Sequence, residues 1–256
     1  MNSHMWRAGL IAATFSFGGL PQVSAAEIKV LTTGVFKPVV LALVPEFKKQ
    51  TGHKVTVDNG TAGQLKTRIE GGEAFDIVVV TPGVLDALIA SGKAVSGSQV
   101  MVASVGVGVM VKEGTPKPDV STVEKFKEAL LAAKTVAYLD PASGGSSGIY
   151  VDKLLVKLGV ADQIRPKAKL KNGGHVADLI VSGEAELGIH QISEIVAVKG
   201  AALVGPLPKE IQSTTTYAAG LSSSAKDNAA SKALIKVFSD PVAAAVLKSK
   251  GLDPAS

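Results

Sequence analysis

Residues 75–80 read FDIVVV, an apolar run interrupted by one charged residue. Such a run is typical of a central strand in a parallel sheet, because helices cover both faces of that strand. A helical pattern precedes the run at residues 62–71, and another follows it at 84–91. Together the three segments predict a strand between two helices, which is the repeating unit of an α/β fold.

The same alternation of strand and helix continues in both directions from this unit. Further strands are predicted at 27–31, 55–57, 135–139, 187–191, 202–204 and 214–221, and further helices at 38–50, 121–133, 147–158, 176–182, 226–238 and 242–250. Ser121 and Glu124 have the spacing of a capping box, which predicts where their helix begins. We therefore expect an α/β protein whose sheets are mostly parallel and flanked by helices.

Two extended segments interrupt this alternation, at residues 100–111 and 213–224. A chain that leaves one lobe and later returns to it needs one outward and one returning crossing. We therefore predict two lobes, with residues 26–102 plus 217–256 in lobe 1 and residues 103–216 in lobe 2. A single domain with one edge hairpin is the alternative.

The composition narrows the class of protein. The 256 residues are 46% apolar and 19% charged and include no cysteine, which excludes a disordered chain, a disulfide-stapled miniprotein and a thiolate metal site. The net charge of +5 is scattered and forms no basic stripe with interleaved aromatic residues, so we expect no nucleic-acid partner. A small anionic partner fits this charge better. The four histidines lack metal-ligand spacing, so we expect neither a metal nor a cofactor.

The N-terminus has the layout of a secretory signal. Residues 1–5 resemble a remnant of an expression tag, Arg7 follows, and an apolar run covers residues 8–20. That run is too short to span a bilayer of about 30 Å. The small residues at 23–26 predict cleavage after Ala25 or Ala26. Because no cysteine is available for a lipid anchor, we expect an exported, periplasmic protein.

Four turns between predicted strands and helices are rich in glycine, serine and threonine, at 32–34, 59–63, 143–148 and 171–175. In parallel α/β sheets such turns meet at the carboxyl ends of the strands, where ligands bind. Each turn precedes a helix N-terminus, which offers unpaired N–H groups to an anion. Any single turn of this kind can also be an ordinary helix cap. Four converging turns predict an anion site.

One of these turns also matches a catalytic motif. Residues 144–148 read GGSSG and fit the nucleophile elbow of serine hydrolases, with Ser146 as nucleophile. Asp162 or Asp178 and then His190 would complete the order of a triad. However, residues 140–143 separate the strand from the turn, whereas an elbow turns sharply off its strand. A secreted serine hydrolase is therefore the alternative function.

Three segments carry a resemblance to a known family: LKTRIEGG at 65–72 followed by FDIVV at 75–79, SGIY at 147–150, and GEAELGI at 183–189. From residue 27 onward the chain resembles the periplasmic molybdate-binding proteins, which are type II solute-binding proteins of ABC importers. The resemblance implies two lobes that close around an oxyanion held by neutral hydroxyl and amide donors. It also implies a monomer that delivers its ligand to an inner-membrane ABC permease and is not an enzyme.

The resemblance also assigns residues by position. Thr33 matches the first-loop hydroxyl, Ala62 stands where the second-loop serine is expected, and Thr61 beside it offers a hydroxyl. Ser147 matches the small residue that precedes Gly-Ile-Tyr, and Ser146 lies next to it. Gly173 matches a backbone amide donor at the start of the following helix, and Gln191 stands where the family has a tyrosine in the pocket.

The departures at Ala62 and Gln191 leave an anion site intact but change its donors. His190 lies beside Gln191, and Arg68 lies four residues after Gln64 on the same predicted helix face. A guanidinium pairs well with a planar carboxylate, so Arg68 and His190 are added to the predicted site. The predicted ligand is a small carboxylate or a molybdate- or tungstate-like oxyanion. A third hypothesis is that the chain is the effector half of a transcription regulator. The predicted secretory signal and the lack of a predicted DNA-binding helix pair argue against it.

Overall fold

The computed structural model describes residues 25–225 and 228–255. The predicted signal segment at residues 1–25 lies outside the described residues, apart from Ala25. None of the helices within the described ranges is long and apolar enough to cross a membrane.

The described residues form strands and helices that alternate along most of the chain. The strands are β1 (Glu27–Thr33), β2 (Lys54–Gly60), β3 (Ile77–Val80), β4 (Val100–Lys112), β5 (Val136–Leu139), β6 (Ala168–Lys171), β7 (Leu187–Gln191), β8 (Ala201–Pro206), β9 (Thr214–Leu221) and β10 (Asp253–Pro254). The α-helices are α1 (Lys37–Thr51), α2 (Ala62–Glu70), α3 (Pro82–Ala90), α4 (Val123–Ala132), α5 (Ser146–Lys157), α6 (Ala161–Ile164), α7 (Ala177–Val181), α8 (Ile192–Val196), α9 (Asn228–Ser239) and α10 (Pro241–Ser249).

The strands form one mixed sheet in the order β2-β1-β3-β9-β4-β7-β5-β6, with β8 and β10 also paired to β4. Strands β1, β2 and β3 are parallel to one another, and so are β5, β6 and β7. Strands β4 and β9 pair antiparallel with their neighbours and lie between the two parallel groups. The predicted two-lobed α/β fold is confirmed, with β1–β3 at the centre of the first lobe and β5–β7 at the centre of the second.

Strand β4 runs through both lobes. Its residues from Val100 to Gly106 pair with β9, and those from Val107 onward pair with β7 and β8. The antiparallel pair of β4 and β9 is therefore the connection between the lobes. The exact lobe boundaries stay a prediction.

Each lobe has its own apolar core. Strand β3 is fully buried, and its side chains alternate between two clusters: Ile77 and Val79 join one, Val78 and Val80 the other. The first cluster includes an edge-to-face pair of Phe36 and Phe238, whose ring centroids are 5.5 Å apart. The second lobe packs residues such as Phe126 and Tyr138 on β5 and α4. The FDIVVV run thus buries both faces, as predicted.

Some local predictions were wrong. Thr122, rather than Ser121, caps α4: its side chain accepts a hydrogen bond from the backbone N–H of Lys125 at 3.2 Å. Strands β6 and β10 and helices α6 and α8 were not predicted. The start predicted for α9 at residues 226 and 227 lies outside the described residues.

Candidate functional site

A cavity of about 50 Å³ lies between the lobes, at the carboxyl ends of the parallel strands. Its walls come from the strand-to-helix turns of both lobes and from β9. The first lobe contributes Thr33, Gly34, Val35, Asn59, Gly60, Thr61 and Ala62. The second lobe contributes Leu139, Gly145, Ser146, Gly174, His175, His190, Gln191 and Glu194, and β9 contributes Tyr217. Of the predicted site residues, Thr33, Thr61, Ala62, Ser146, His190 and Gln191 are brought together here; their contact with a ligand stays a prediction.

The two lobes touch at the rim of this cavity. Thr61 caps α2 with a complete capping box, and its hydroxyl also donates to the carbonyl of Ser143 in the opposite lobe. Next to it, the backbone N–H of Gly63 donates to the carbonyl of Gly144 at 3.3 Å. The Gln64 side chain reaches Asn172 at 3.3 Å. This set of contacts holds the lobes in a closed arrangement.

Gln191 fixes two hydroxyl groups at the inner wall. Its side-chain amide donates to Ser146 Oγ at 3.0 Å and to Tyr217 Oη at 2.7 Å. Because both oxygens act as acceptors in these bonds, each hydroxyl keeps its own proton for a further acceptor. Burial raises the pKa of Tyr217, so its phenol stays a donor. Ser146 also begins α5, whose N-terminus has no side-chain cap.

Two further polar groups of the wall have unfilled hydrogen-bonding capacity. Thr33 Oγ1 and both ring nitrogens of His190 are buried and have no hydrogen-bond partner within the described residues. Leaving such a group unsatisfied costs about 1–3 kcal/mol. Burial also lowers the pKa of His190, which keeps its imidazole neutral.

A carboxylate and an imidazole form a pair on the same wall. The Nδ1 atom of His175 lies 2.6 Å from Oε2 of Glu194, whose side chain is only 6% exposed. The adjacent Glu194 raises the pKa of His175, which favours the imidazolium form. A side chain at Gly34 would meet this carboxylate, since a Cβ built there lies 2.5 Å from Glu194 Oε1. The pair therefore adds little net charge to the cavity.

A wider outer cavity adjoins the inner one through Gly34, Asn59 and His175, which line both. Its volume is about 380 Å³. Lys37 and Lys250 lie on its wall, and Lys37 Nζ donates to Asn59 Oδ1 at 2.7 Å. Together, the two adjoining cavities offer more room than a tetrahedral oxyanion needs.

The structure does not bring Arg68 to either of these cavities. Its guanidinium forms ion pairs with Asp58 and Glu73 and donates to the carbonyl of Asn59 at 3.2 Å. These acceptors engage the guanidinium, so the ligand contact predicted for Arg68 is not supported. Its contact with the Asn59 carbonyl makes it a support for the turn that lines the cavity.

Two other predicted residues lie just behind the wall. Ser147 is buried, and its Oγ atom has no hydrogen-bond partner in the described part of the chain, but it is not among the lining residues. Gly173 packs against Gln64, and its neighbour Gly174 lines the cavity instead. Sequence reasoning did not single out His175, Glu194, Asn59 or Tyr217. The turns at 59–63 and 171–175 gave the only signals, for Asn59 and His175.

The catalytic alternative from the GGSSG motif gains no support from this geometry. A short turn at Pro141–Ser143 separates β5 from α5, so the chain does not form a sharp elbow. In the described residues, no hydrogen bond joins a histidine to Ser146, whose oxygen accepts from Gln191 and Thr215. Likewise, the described residues include no cluster of three His, Asp or Glu side chains suited to a metal ion.

Comparison with known proteins also indicates a solute-binding protein. Residues 28–253 match the model of a family described as bacterial extracellular solute-binding protein. An aconitate isomerase from a Pseudomonas species is 30% identical over 251 residues, covering 96% of this chain and 93% of that protein. The molybdate-binding protein ModA of Azotobacter vinelandii is 28% identical over 262 residues, covering 95% of this chain and 93% of that protein.

Among solved structures, the periplasmic molybdate-binding protein of Azotobacter vinelandii superposes with a TM-score of 0.75 at 21% identity. The match covers 90% of this chain and 100% of that one. At 21% identity, this similarity supports the fold and nothing more specific.

Proposed function

Because the chain belongs to the family of bacterial extracellular solute-binding proteins, we propose that it binds one small anion between its lobes and delivers it to an inner-membrane ABC permease. We further propose that it is exported with cleavage after Ala25 or Ala26, acts as a monomer, and has its lobe boundaries at 26–102 plus 217–256 and at 103–216. The antiparallel pair of β4 and β9 supports these boundaries.

The main support for this proposal comes from buried polar groups of the cavity wall that have no hydrogen-bond partner among the described residues. Thr33 and His190 are buried without partners among the described residues, at a wall that both lobes build. Such groups weaken the fold unless something in the cavity satisfies them. An anion accepts hydrogen bonds from Thr33, Ser146 and the N-terminus of α5, and binding both lobes favours the closed form.

The charges around the cavity favour a carboxylate over a tetrahedral oxyanion. His175 and Glu194 form a nearly neutral pair, so the wall of the inner cavity offers a small dianion no net positive charge. A longer polycarboxylate can keep one end in the inner cavity and extend the others past His175 to Lys37 in the outer cavity. The similarity to an aconitate isomerase supports the same ligand class.

Catalysis on such a ligand is the second candidate function, although the sequence alone predicts a protein that is not an enzyme. Two histidines with opposite pKa shifts share the cavity, and separated pKa values are typical of acid–base pairs. Together with the 30% identity to an aconitate isomerase, this arrangement favours isomerisation of an unsaturated polycarboxylate.

Thermal denaturation with a panel of anions tests the binding proposal. The panel contains molybdate, tungstate, sulfate, trans-aconitate and tricarballylate, the saturated analogue of aconitate. A ligand at a thousand times its dissociation constant adds about 4 kcal/mol of stability. In a protein of this size that raises the melting temperature by about 8–16 °C. We expect the largest shift from a tricarboxylate, and a panel without any shift would overturn the proposal.

A further inference from the structure

We propose that His190 is the catalytic residue that carries the proton in an allylic isomerisation of an unsaturated polycarboxylate. This inference rests on the second candidate function proposed above. It requires a substrate with a C–H bond next to a carbon–carbon double bond, and carboxylates that fit the two adjoining cavities.

The position of His190 supports a role in proton transfer. Its side chain is 3% exposed, it lines the inner cavity, and neither ring nitrogen has a partner among the described residues. An imidazole without partners has one nitrogen free to accept a proton from a ligand. Because burial lowers its pKa, it stays in the basic form at neutral pH.

The reaction needs no second reactant. A C–H bond beside the double bond breaks, and its proton passes to a ring nitrogen of His190. The electron pair of that bond forms the new double bond, and the electrons of the old double bond take the proton back from His190 at the far carbon. The imidazole is neutral again at the end of each turnover, so one group both removes and returns the proton.

The pair of His175 and Glu194 supports this reaction from the same wall. Negative charge moves onto the substrate carboxylates while the proton is on His190. The imidazolium of His175, which Glu194 holds at 2.6 Å, lies between the inner and outer cavities and can stabilise that charge. Glu194 and His175 are the ionisable groups that act on His190 electrostatically, in opposite directions.

Burial of His190 gives the inference a distinctive isotopic consequence. A proton held at 3% exposure exchanges slowly with solvent compared with one on His175, whose side chain is 39% exposed. When the wild-type protein isomerises trans-aconitate in D₂O, the early product should therefore keep part of its protium at the new C–H position. Proton NMR of the product measures this directly.

Substitutions assign the effect to His190. His190→Gln should bind tricarballylate in calorimetry but isomerise aconitate at least about 100-fold more slowly, the lower limit for loss of a general base. His190→Asn is a second variant in case the first does not fold. His53→Gln is the matched control, because His53 is also a buried histidine but accepts a hydrogen bond from Ala26 away from the cavity.

The outcomes separate this inference from the proposed function. Wild-type protein that binds both tricarboxylates but leaves aconitate unchanged would overturn the inference and leave the receptor function standing. Complete deuteration of the early product, or full turnover by folded His190→Gln, would also overturn it by pointing to a solvent-exposed acid such as His175. If neither tricarboxylate binds, the carboxylate ligand proposed above is wrong as well.

Discussion

The backbone N–H of Gly63 in the first lobe donates to the carbonyl oxygen of Gly144 in the second, at 3.3 Å across the cleft. A Cβ atom built on Gly63 would lie 2.8 Å from the Cα of Gly144, and one built on Gly144 would lie 2.7 Å from the Cα of Gly63. Only residues without side chains allow the lobes to approach this closely. The two glycines therefore set how far the cleft can close.

Gly63→Ala should weaken anion binding without unfolding either lobe. Overpacking of this kind costs about 1–3 kcal/mol, and the closed form bears that cost. Calorimetry should therefore show affinity lower by about five- to 150-fold, and small-angle scattering should show a more open protein with ligand present. Gly83→Ala is the control, since nothing lies within 4 Å of a Cβ built at Gly83. Unchanged affinity in Gly63→Ala would mean that this contact does not limit closure.

Ser146→Ala and Ser147→Ala separate the two serines that the sequence proposed together. Loss of the Ser146 hydroxyl should remove one donor to the anion and weaken binding by about 1.5–3 kcal/mol, the range for a hydrogen bond to a charged group. The Ser147 hydroxyl has no partner among residues 25–225 and 228–255, so its loss should leave affinity unchanged and stability equal or higher. Calorimetry and melting curves of both variants measure this. The reverse pattern would mean that Ser147 is the ligand contact.

Lys37→Met should distinguish the ligand classes. Lys37 lies in the outer cavity, so its charge reaches a tricarboxylate but not a small oxyanion in the inner cavity. We expect weaker tricarballylate binding by up to about fivefold, as for a partly solvated ion pair worth about 1 kcal/mol. Lys48→Met removes the same charge from an exposed site on the same helix and serves as control. Equal effects of both substitutions would indicate long-range attraction only.

Glu73 should make folding stability depend on pH. Arg68, and then Lys29, lower the pKa of Glu73 to about 2 from 4.5. Because the folded-state pKa lies below the unfolded one, this stabilisation is fully present above pH 4.5 and is lost as the pH falls toward 2. Urea denaturation of wild type and Glu73→Gln between these pH values should show a smaller loss in the variant. Parallel curves would rule out this contribution.

Most of the fold follows from local sequence patterns. The FDIVVV run and the alternating segments predict most of the strands and helices, because burial on both faces of a strand leaves a continuous apolar run in the sequence. Strand β6 reads AKLK and has mostly exposed or half-buried residues, so it carries no such signature. Helix α8 follows β7 without a turn and has only five residues, too few for a helical period.

The site was predicted where it depends on turns and missed where it depends on tertiary contacts. Thr33, His190 and Gln191 lie at the carboxyl ends of β1 and β7, and Thr61 and Ser146 lie at the starts of α2 and α5. All five line the cavity. Glu194 and Tyr217 come from elements outside these turns, so only the folded chain brings them to the cavity. The spacing of Arg68 predicted a position facing the site, but its guanidinium pairs with Asp58 and Glu73 instead, and Arg68 does not line the cavity.

The central claim is that an anion binds between the lobes at the unpartnered groups of the cavity, and Thr33→Val tests it most directly. Valine keeps the shape of threonine but removes the buried Oγ1 that has no partner in the described part of the chain. The measurement is the dissociation constant of the ligand with the largest thermal shift, by calorimetry on the folded variant. The account predicts affinity lower by at least about tenfold, for the loss of about 1.5–3 kcal/mol, in a protein whose ligand-free melting temperature is unchanged or higher. Wild-type affinity in Thr33→Val would contradict it.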